Sequence, residues 1–181
     1  MTTTPGAVPP LPGEDHVCPA CRLDFAHLPA HLAAAIVTAV PDRARAAVQD
    51  QPAVVLRRRP EPDTWSAVEY LCHLRDVYVT TTIRLHRART EDVPVVEPML
   101  NDLRVRRFRY ADSDVPAVLG ELAAAVAGVA DEVRRVAHDG WDRRVVRQPG
   151  EERTARWLLR NAAHEGRHHL ADIQRGLTGQ S

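Results

Sequence analysis

Four long segments of the chain have the spacing of apolar and polar residues that favours α-helix, and no segment shows strand-like alternation of useful length. The predicted helices span residues 27–49, 65–89, 115–137 and 153–177. Pro41 is expected to break or kink the first helix, because proline cannot donate a helical hydrogen bond. Thr64 is the predicted N-cap of the second helix, and Ser113 or Asp114 that of the third.

Four helices with one long central connection predict an all-α protein built as a four-helix bundle. The connection between the second and third helices, residues 90–112, contains prolines and then an arginine-rich stretch. We expect it to form an irregular crossover with one short helix. Residues 138–152 are predicted to form a loop before the last helix.

The chain divides into three predicted regions. Residues 1–16 are rich in proline, glycine and threonine and are expected to form a flexible tail. Residues 17–26 contain a C-x-x-C pair, and residues 27–181 form the bundle. A length of 181 residues suits one domain, and 44% hydrophobic residues can supply its core.

Charge and composition argue against several classes of partner. The chain has 24 basic and 24 acidic residues, so its net charge gives no reason to expect binding to nucleic acid or to an anionic membrane. It has no apolar run long enough to span a membrane and no pattern of a secretory signal at its start, so we expect a cytoplasmic protein. Every basic residue is arginine, as in high-GC, actinobacterial-like genomes.

The sequence HEGRHHLADI, residues 164–173, is the densest group of metal-ligand side chains and lies in the last predicted helix. With about 100° per residue, His164 and His168 share one side of this helix, and the aliphatic residues lie mainly opposite. Glu165 and His169 lie about 100° away from that pair, beside the apolar face. The helix therefore carries two separate i, i+4 pairs, one facing the core and one facing away.

The inward pair Glu165 and His169 is predicted to bind a divalent metal together with a residue from another helix. His73 is the best candidate, because it lies among apolar residues where an isolated polar group needs a partner. Three such ligands leave one or two positions open on zinc, as in catalytic sites. A hydrogen-bonded core histidine and a simple Glu–His ion pair are the alternatives. Asp76 is expected either to orient the His73 imidazole or to pair with an arginine.

Cys18 and Cys21 form the C-x-x-C pair, which could supply half of a structural zinc site. The outward pair His164 and His168 is the preferred other half. Such a Cys2His2 site would attach the N-terminal segment to the last helix. The two histidines could instead be ordinary polar side chains on the surface.

Other roles for the cysteine pair stay open. His27 and His31 would complete a self-contained Cys2His2 set close in sequence. The cysteines could be redox active, although no βαβ pattern supports a thioredoxin-like unit. One of them could also fold over the inner ion and close its coordination, which would make that site structural.

The motifs W-S-x-x-E-Y-x-x-H-L-x-D at residues 65–76 and H-E-G-R-H-H-L-A-D-I at 164–173 resemble those of the DinB-like (DinB/YfiT) superfamily. The resemblance covers about residues 28–177. It implies a four-helix bundle with up-down-down-up topology, a long crossover between helices 2 and 3, and a divalent metal between the helices.

The resemblance also bears on the ligand set. The usual histidine of the second helix matches His73. The mycothiol-dependent maleylpyruvate isomerase branch has E-x-x-x-H followed by x-x-D-L, which matches Glu165, His169, Asp172 and Ile173. Those isomerases carry an added C-terminal domain, whereas this chain ends soon after the fourth helix, so we expect a different substrate.

The function implied by this resemblance is that of a metal-dependent enzyme acting on a small molecule. A low-molecular-weight thiol such as mycothiol is the implied co-substrate, and transfer, isomerisation and hydrolysis are the implied reactions. Zinc is the expected metal, and nickel also suits these ligands. The alternative is a non-catalytic bundle stabilised by a structural zinc site, acting as a binding or stress-response protein. A homodimer is implied by the family alone.

Overall fold

The computed structural model describes residues 10–179. Residues 1–9 of the predicted tail and the last two residues lie outside this range. The helices are α1 (Ala30–Thr38), α2 (Val40–Val48), α3 (Ala53–Arg57), α4 (Ala67–Thr90), α5 (Asn101–Arg107), α6 (Val115–Arg135) and α7 (Ala155–Thr178). Two strands, β1 (Arg144–Val146) and β2 (Glu152–Thr154), and two 3-10 turns, Tyr110–Asp112 and His138–Asp142, complete the secondary structure.

The long helices form the predicted four-helix bundle. Helix α4 packs against α6 and α7, and α1 with α2 packs against the other faces of α6 and α7. The first helix is divided at Ala39, two residues before Pro41, as expected from the proline. No helix among residues 10–179 is long and apolar enough to cross a membrane.

Helix α4, which carries His73, begins two residues later than the sequence suggested. Its N-cap is Ser66 and not Thr64, because Ser66 and Glu69 form a reciprocal capping box. The Glu69 amide donates to Ser66 Oγ at 3.4 Å, and the Ser66 amide donates to Glu69 Oε2 at 2.8 Å. The carboxylate of Glu69 also accepts hydrogen bonds from Arg59 Nε at 2.9 Å and from Arg59 Nη2 at 2.7 Å. The start of α4 is therefore tied to the preceding connection.

The connections are more ordered than expected. The predicted loop 138–152 contains a 3-10 turn and strand β1, which pairs antiparallel with β2. The crossover adds to this hairpin, because the Val96 amide donates to the Val146 carbonyl at 2.7 Å. The hairpin and its hydrogen bond to Val96 hold the crossover against the bundle, on the side of the cavity described below.

The segment before α1 lies against α7 and contributes to the core. The side chain of Phe25 is fully buried and lies 6.3 Å from Trp157, measured between ring centroids. Trp157 Nε1 donates to the Gly13 carbonyl at 3.2 Å, and Arg160 Nε donates to the Leu28 carbonyl at 2.7 Å. Since these contacts join positions far apart in sequence, they hold the cysteine-containing segment beside the histidines of α7.

Gly166 lies where α7 packs tightly against Tyr78 and Val40, and this position gives a stability prediction. A Cβ at this position would contact the Tyr78 hydroxyl and lie 2.7 Å from Val40 Cγ2. Gly166→Ala should therefore lower the free energy of unfolding by about 1–3 kcal/mol through overpacking. Urea unfolding of the metal-free protein measures this loss.

Gly120→Ala is the matched control, because a Cβ at Gly120 meets nothing within 4 Å. This helical substitution should leave stability unchanged or raise it by up to about 1 kcal/mol. Equal effects of the two substitutions would contradict the close approach at Gly166.

Candidate metal centre

Helices α4 and α7 bring the three inward candidates, His73, Glu165 and His169, together. His73 Nε2 lies 3.0 Å from Glu165 Oε2, and His169 Nε2 lies 3.2 Å from the same oxygen. One donor atom from each of the three side chains lies within 4.8 Å of the others. The carboxylate thus lies between two imidazoles: the helical phase of α7 had placed Glu165 and His169 on one face, and the apolar surroundings of His73 had suggested it as their partner.

The charge state of this group suits a cation. Burial raises the pKa of Glu165, but hydrogen bonds from His169 and His73 outweigh burial and hold its pKa well below the ordinary value. Burial lowers the pKa of His169, but hydrogen bonds to Asp172 and Glu165 outweigh it and raise its pKa to about 9. In the metal-free protein the carboxylate is thus compensated by an imidazolium. A divalent cation can replace that proton, because metal ligands bind in their deprotonated forms.

Asp172 holds the second nitrogen of His169. Its Oδ2 atom lies 2.7 Å from His169 Nδ1, which leaves Nε2 directed to Glu165. Carboxylates in this position fix the orientation of metal-binding histidines. Asp172 therefore orients His169, whereas Asp76, the residue that the sequence offered for the corresponding role at His73, lies elsewhere in the hydrogen-bond network. The spacing of three residues between His169 and Asp172 was visible in the sequence.

Asp76 takes the other role considered for it, pairing with arginine. Arg104 Nε donates to its Oδ2 atom at 2.9 Å, Arg75 Nε donates to its Oδ1 atom at 2.8 Å, and the Tyr110 hydroxyl also donates. Burial raises the pKa of Asp76, but the hydrogen bonds from Tyr110, Arg104 and Arg75 outweigh it and hold the pKa below the ordinary value. Asp76 therefore joins the crossover to α4.

Asp76→Asn should lower the free energy of unfolding by about 2–3 kcal/mol at neutral pH, the value of hydrogen bonds to a charged group. Because the folded pKa of Asp76 is lowered, its contribution is present above pH about 4 and is lost as the pH falls through that lowered value. Urea unfolding at several pH values should show a difference from wild type that shrinks in acid. The control Asp131→Asn removes an exposed ion pair with Arg134 and should cost under about 1 kcal/mol.

A cavity of about 390 Å³ adjoins the inner group. His73 and Glu165 form part of its wall, together with Asn161. The opposite wall comes from the crossover and includes Met99 and Leu100. On another side of the group, the ring centroid of Trp65 lies 5.1 Å from that of His73. The inner group thus lies between an aromatic side chain and a cavity of small-molecule size.

The outward pair of α7 faces the N-terminal segment. Donor atoms of Cys18, Cys21, His164 and His168 lie within 4.8 Å of one another. Cys18 Sγ lies 3.5 Å from His168 Nδ1. Among residues 10–179, the candidate metal-ligand groups place neither cysteine with the inner three residues.

The self-contained alternative with His27 and His31 is not brought together. His27 Nδ1 lies 2.8 Å from Asp24 Oδ2, and its side chain is 85% exposed. His31 is also exposed. Neither histidine belongs to a candidate metal-ligand group within the described part of the chain.

The fold and the site define a four-helix bundle with a His–Glu–His group between two helices. The sequence of residues 36–173 matches the DinB superfamily, and the chain belongs to this superfamily. Among proteins with curated descriptions, none matches the sequence significantly.

A solved structure agrees with the fold. The structure of YfiT from Bacillus subtilis, described as a probable metal-dependent hydrolase with an unusual four-helix bundle topology, is similar to this chain with a TM-score of 0.76 and 19% identity. The similarity covers 84% of this chain and 89% of YfiT. At this identity it supports the up-down-down-up fold alone.

Proposed function

We propose that this protein is a metal-dependent enzyme acting on a small molecule, with His73, Glu165 and His169 as the ligands of the ion. The observation that carries the proposal is the Glu165 carboxylate, which lies between two imidazoles at the wall of a cavity. A bound zinc or nickel ion would supply a Lewis acid that lowers the pKa of a coordinated thiol or water, or polarises a carbonyl.

The ligand set and its surroundings favour a catalytic metal site over a fully coordinated structural one. Three ligands leave a coordination position for a substrate, as in other catalytic zinc sites. His73 and Glu165 form part of the cavity wall, so a molecule in the cavity has direct access to the group. Trp65 and Tyr70 pack against the His73 and His169 rings, which restricts solvent on that side.

The cavity favours a substrate with an anionic group. Besides Glu165 of the inner group, its wall contains one acid, Asp102, and two arginines, Arg84 and Arg147, of which Arg147 pairs with Glu151. Burial, followed by the charge of Arg147, lowers the pKa of Arg84 to about 10, so its guanidinium stays charged at neutral pH. A carboxylate on the substrate would match such a cation, because guanidinium binds carboxylates in bidentate geometry.

The reaction that we propose is transfer or isomerisation with a low-molecular-weight thiol such as mycothiol. Its support is the order Glu165, His169, Asp172, which resembles the mycothiol-dependent branch. Hydrolysis is the second candidate, favoured by the description of YfiT.

Zinc-loaded protein should be assayed with mycothiol and a carboxylate-bearing electrophile, and separately with carboxylate-bearing esters. Thiol consumption that Glu165→Gln abolishes would support transfer, and rearrangement of the electrophile that needs the thiol without consuming it would support isomerisation. Ester cleavage with the same dependence on Glu165 would support hydrolysis. Metal in the inner site with none of these activities would favour the non-catalytic alternative.

Asp172→Asn should weaken metal binding at the inner site by about 10–100-fold, because the His169 ring loses the carboxylate that orients it. A competition titration with a chromophoric zinc chelator measures the affinity. Asp42→Asn, at an exposed position of α2, is the control and should leave the affinity unchanged. Unfolding of both variants in excess chelator separates this effect from a general loss of stability. An unchanged affinity in Asp172→Asn would remove the proposed role of Asp172.

A further inference from the structure

We propose that Cys18, Cys21, His164 and His168 bind a second divalent ion, preferably zinc, in a structural site that attaches the N-terminal segment to α7. This inference does not depend on the proposed catalytic function. Cys2His2 is a ligand set of structural zinc sites, and four protein ligands complete a tetrahedral zinc ion. Such a site has no open position for a substrate.

The first support is the convergence of four donors from two distant parts of the chain. Cys18 and His168 are 150 positions apart, yet the Cys18 sulfur lies 3.5 Å from His168 Nδ1. All four side chains offer donor atoms within 4.8 Å of one another. A charged surface cluster would not bring two sulfurs and two imidazoles to one point, whereas a thiolate–imidazole zinc site requires this arrangement.

The second support is the environment of His164. Both of its ring nitrogens are buried and, within residues 10–179, lack a hydrogen-bond partner. The ring packs between Phe25 and His16, with centroid distances of 5.7 Å to each. An unpaired buried polar group costs about 1–3 kcal/mol. An ion at the cysteine pair would supply the missing partner to one of these nitrogens.

The third support is the turn that holds the two cysteines. The Cys21 amide lies 3.5 Å from Cys18 Sγ, and the Cys18 amide donates to the Leu23 carbonyl at 3.0 Å. Arg22, directly after the pair, has a φ of 59°, a left-handed conformation that is unfavourable for a residue with a Cβ. The hydrogen bonds of the turn therefore hold Cys18 and Cys21 close together, and the residue that follows the pair is in a strained conformation.

The two metal sites would share one carboxylate. Asp172 Oδ2 lies 2.7 Å from His169 Nδ1 of the inner group and 3.5 Å from His168 Nε2 of the outer group. Because His168 uses Nδ1 toward Cys18, its Nε2 is available to Asp172. The structural ion would thus fix His168, and through Asp172 it would help to orient His169.

Cobalt substitution distinguishes the two sites. The full chain, purified under reducing conditions and loaded with Co²⁺, should bind about two ions and show the near-ultraviolet thiolate-to-cobalt absorption of a cysteine-ligated ion. Cys21→Ser should lose this absorption and about one ion. His169→Ala should lose about one ion and keep the absorption. Cys72→Ala removes the third cysteine, which belongs to none of the candidate groups formed by residues 10–179, and should change neither the absorption nor the number of bound ions.

A second measurement covers the case in which Cys21→Ser does not fold. Alkylation of the wild-type protein followed by mass spectrometry should show that zinc protects Cys18 and Cys21 while the metal-free protein is modified. The proposal is overturned if the wild type shows no thiolate absorption, if zinc gives no protection, or if the protein purified under reducing conditions still contains a Cys18–Cys21 disulfide. If the wild type binds the cysteine-ligated ion but no ion at His73, Glu165 and His169, the result contradicts the proposed function and supports the second site.

Discussion

Glu165→Gln is expected to weaken metal binding at the inner site by more than about 100-fold, since loss of an orienting carboxylate alone costs about 10–100-fold. The reason is that the Glu165 carboxylate contacts both His73 Nε2 and His169 Nε2 and carries the negative charge of the group. The amide keeps the shape of the side chain but loses that charge. A competition titration with a chromophoric chelator measures the change.

The control for this substitution is Glu152→Gln, at an exposed position of β2 that pairs with Arg144. It removes the same charge outside the bundle core and should leave the affinity at the wild-type value. If Glu165→Gln binds zinc as tightly as Glu152→Gln does, Glu165 is not a ligand, and the Glu–His contacts are a simple ion pair.

Phe25→Ala should lower the free energy of unfolding by about 3–5 kcal/mol, the usual cost of removing a buried aromatic ring. Phe25 is 0% exposed and packs against Trp157 and His164 of α7. The loss should appear in urea unfolding with a chelator present, because it arises from packing and not from metal binding.

The chain supplies a matched control, because it contains only two phenylalanines. Phe108 is 56% exposed and lies beside Arg104 and Tyr110. Phe108→Ala should cost about 1 kcal/mol or less. If the two substitutions have equal effects, the segment before α1 does not contribute to the core as the structure indicates.

The helices and the division of the histidines could be predicted from the sequence because both depend on local periodicity. Helix geometry places Glu165 and His169 on one face of α7 and His164 and His168 on another. This division does not depend on where the helix lies in the fold. The position of His73 among apolar residues identified it as the partner from α4. These predictions needed no knowledge of contacts between distant segments.

The remaining features depend on short elements or on long-range contacts. Strands β1 and β2 have three residues each, too few for a period of two to be recognised. The partners of Asp76 come from the crossover, whose path over α4 is not a local property of the sequence. The buried position of Phe25 is set in the same way by packing on α7.

Two features were visible in the sequence but were interpreted otherwise. The S-x-x-E order of Ser66 and Glu69 is a capping-box pattern and gives the true start of α4. Asp172 follows His169 by three residues, a spacing at which helical side chains are neighbours. The sequence had given Asp172 only as a match to the isomerase branch, with no role toward His169.

The central claim is that one divalent ion binds between His73, Glu165 and His169. The most direct test is a crystal structure of the zinc-loaded protein with anomalous diffraction data on both sides of the zinc absorption edge. We predict an anomalous peak in contact with His73 Nε2, His169 Nε2 and the Glu165 carboxylate, next to the cavity. The absence of a peak there, with Glu165 still hydrogen-bonded to both imidazoles at saturating zinc, would contradict the account.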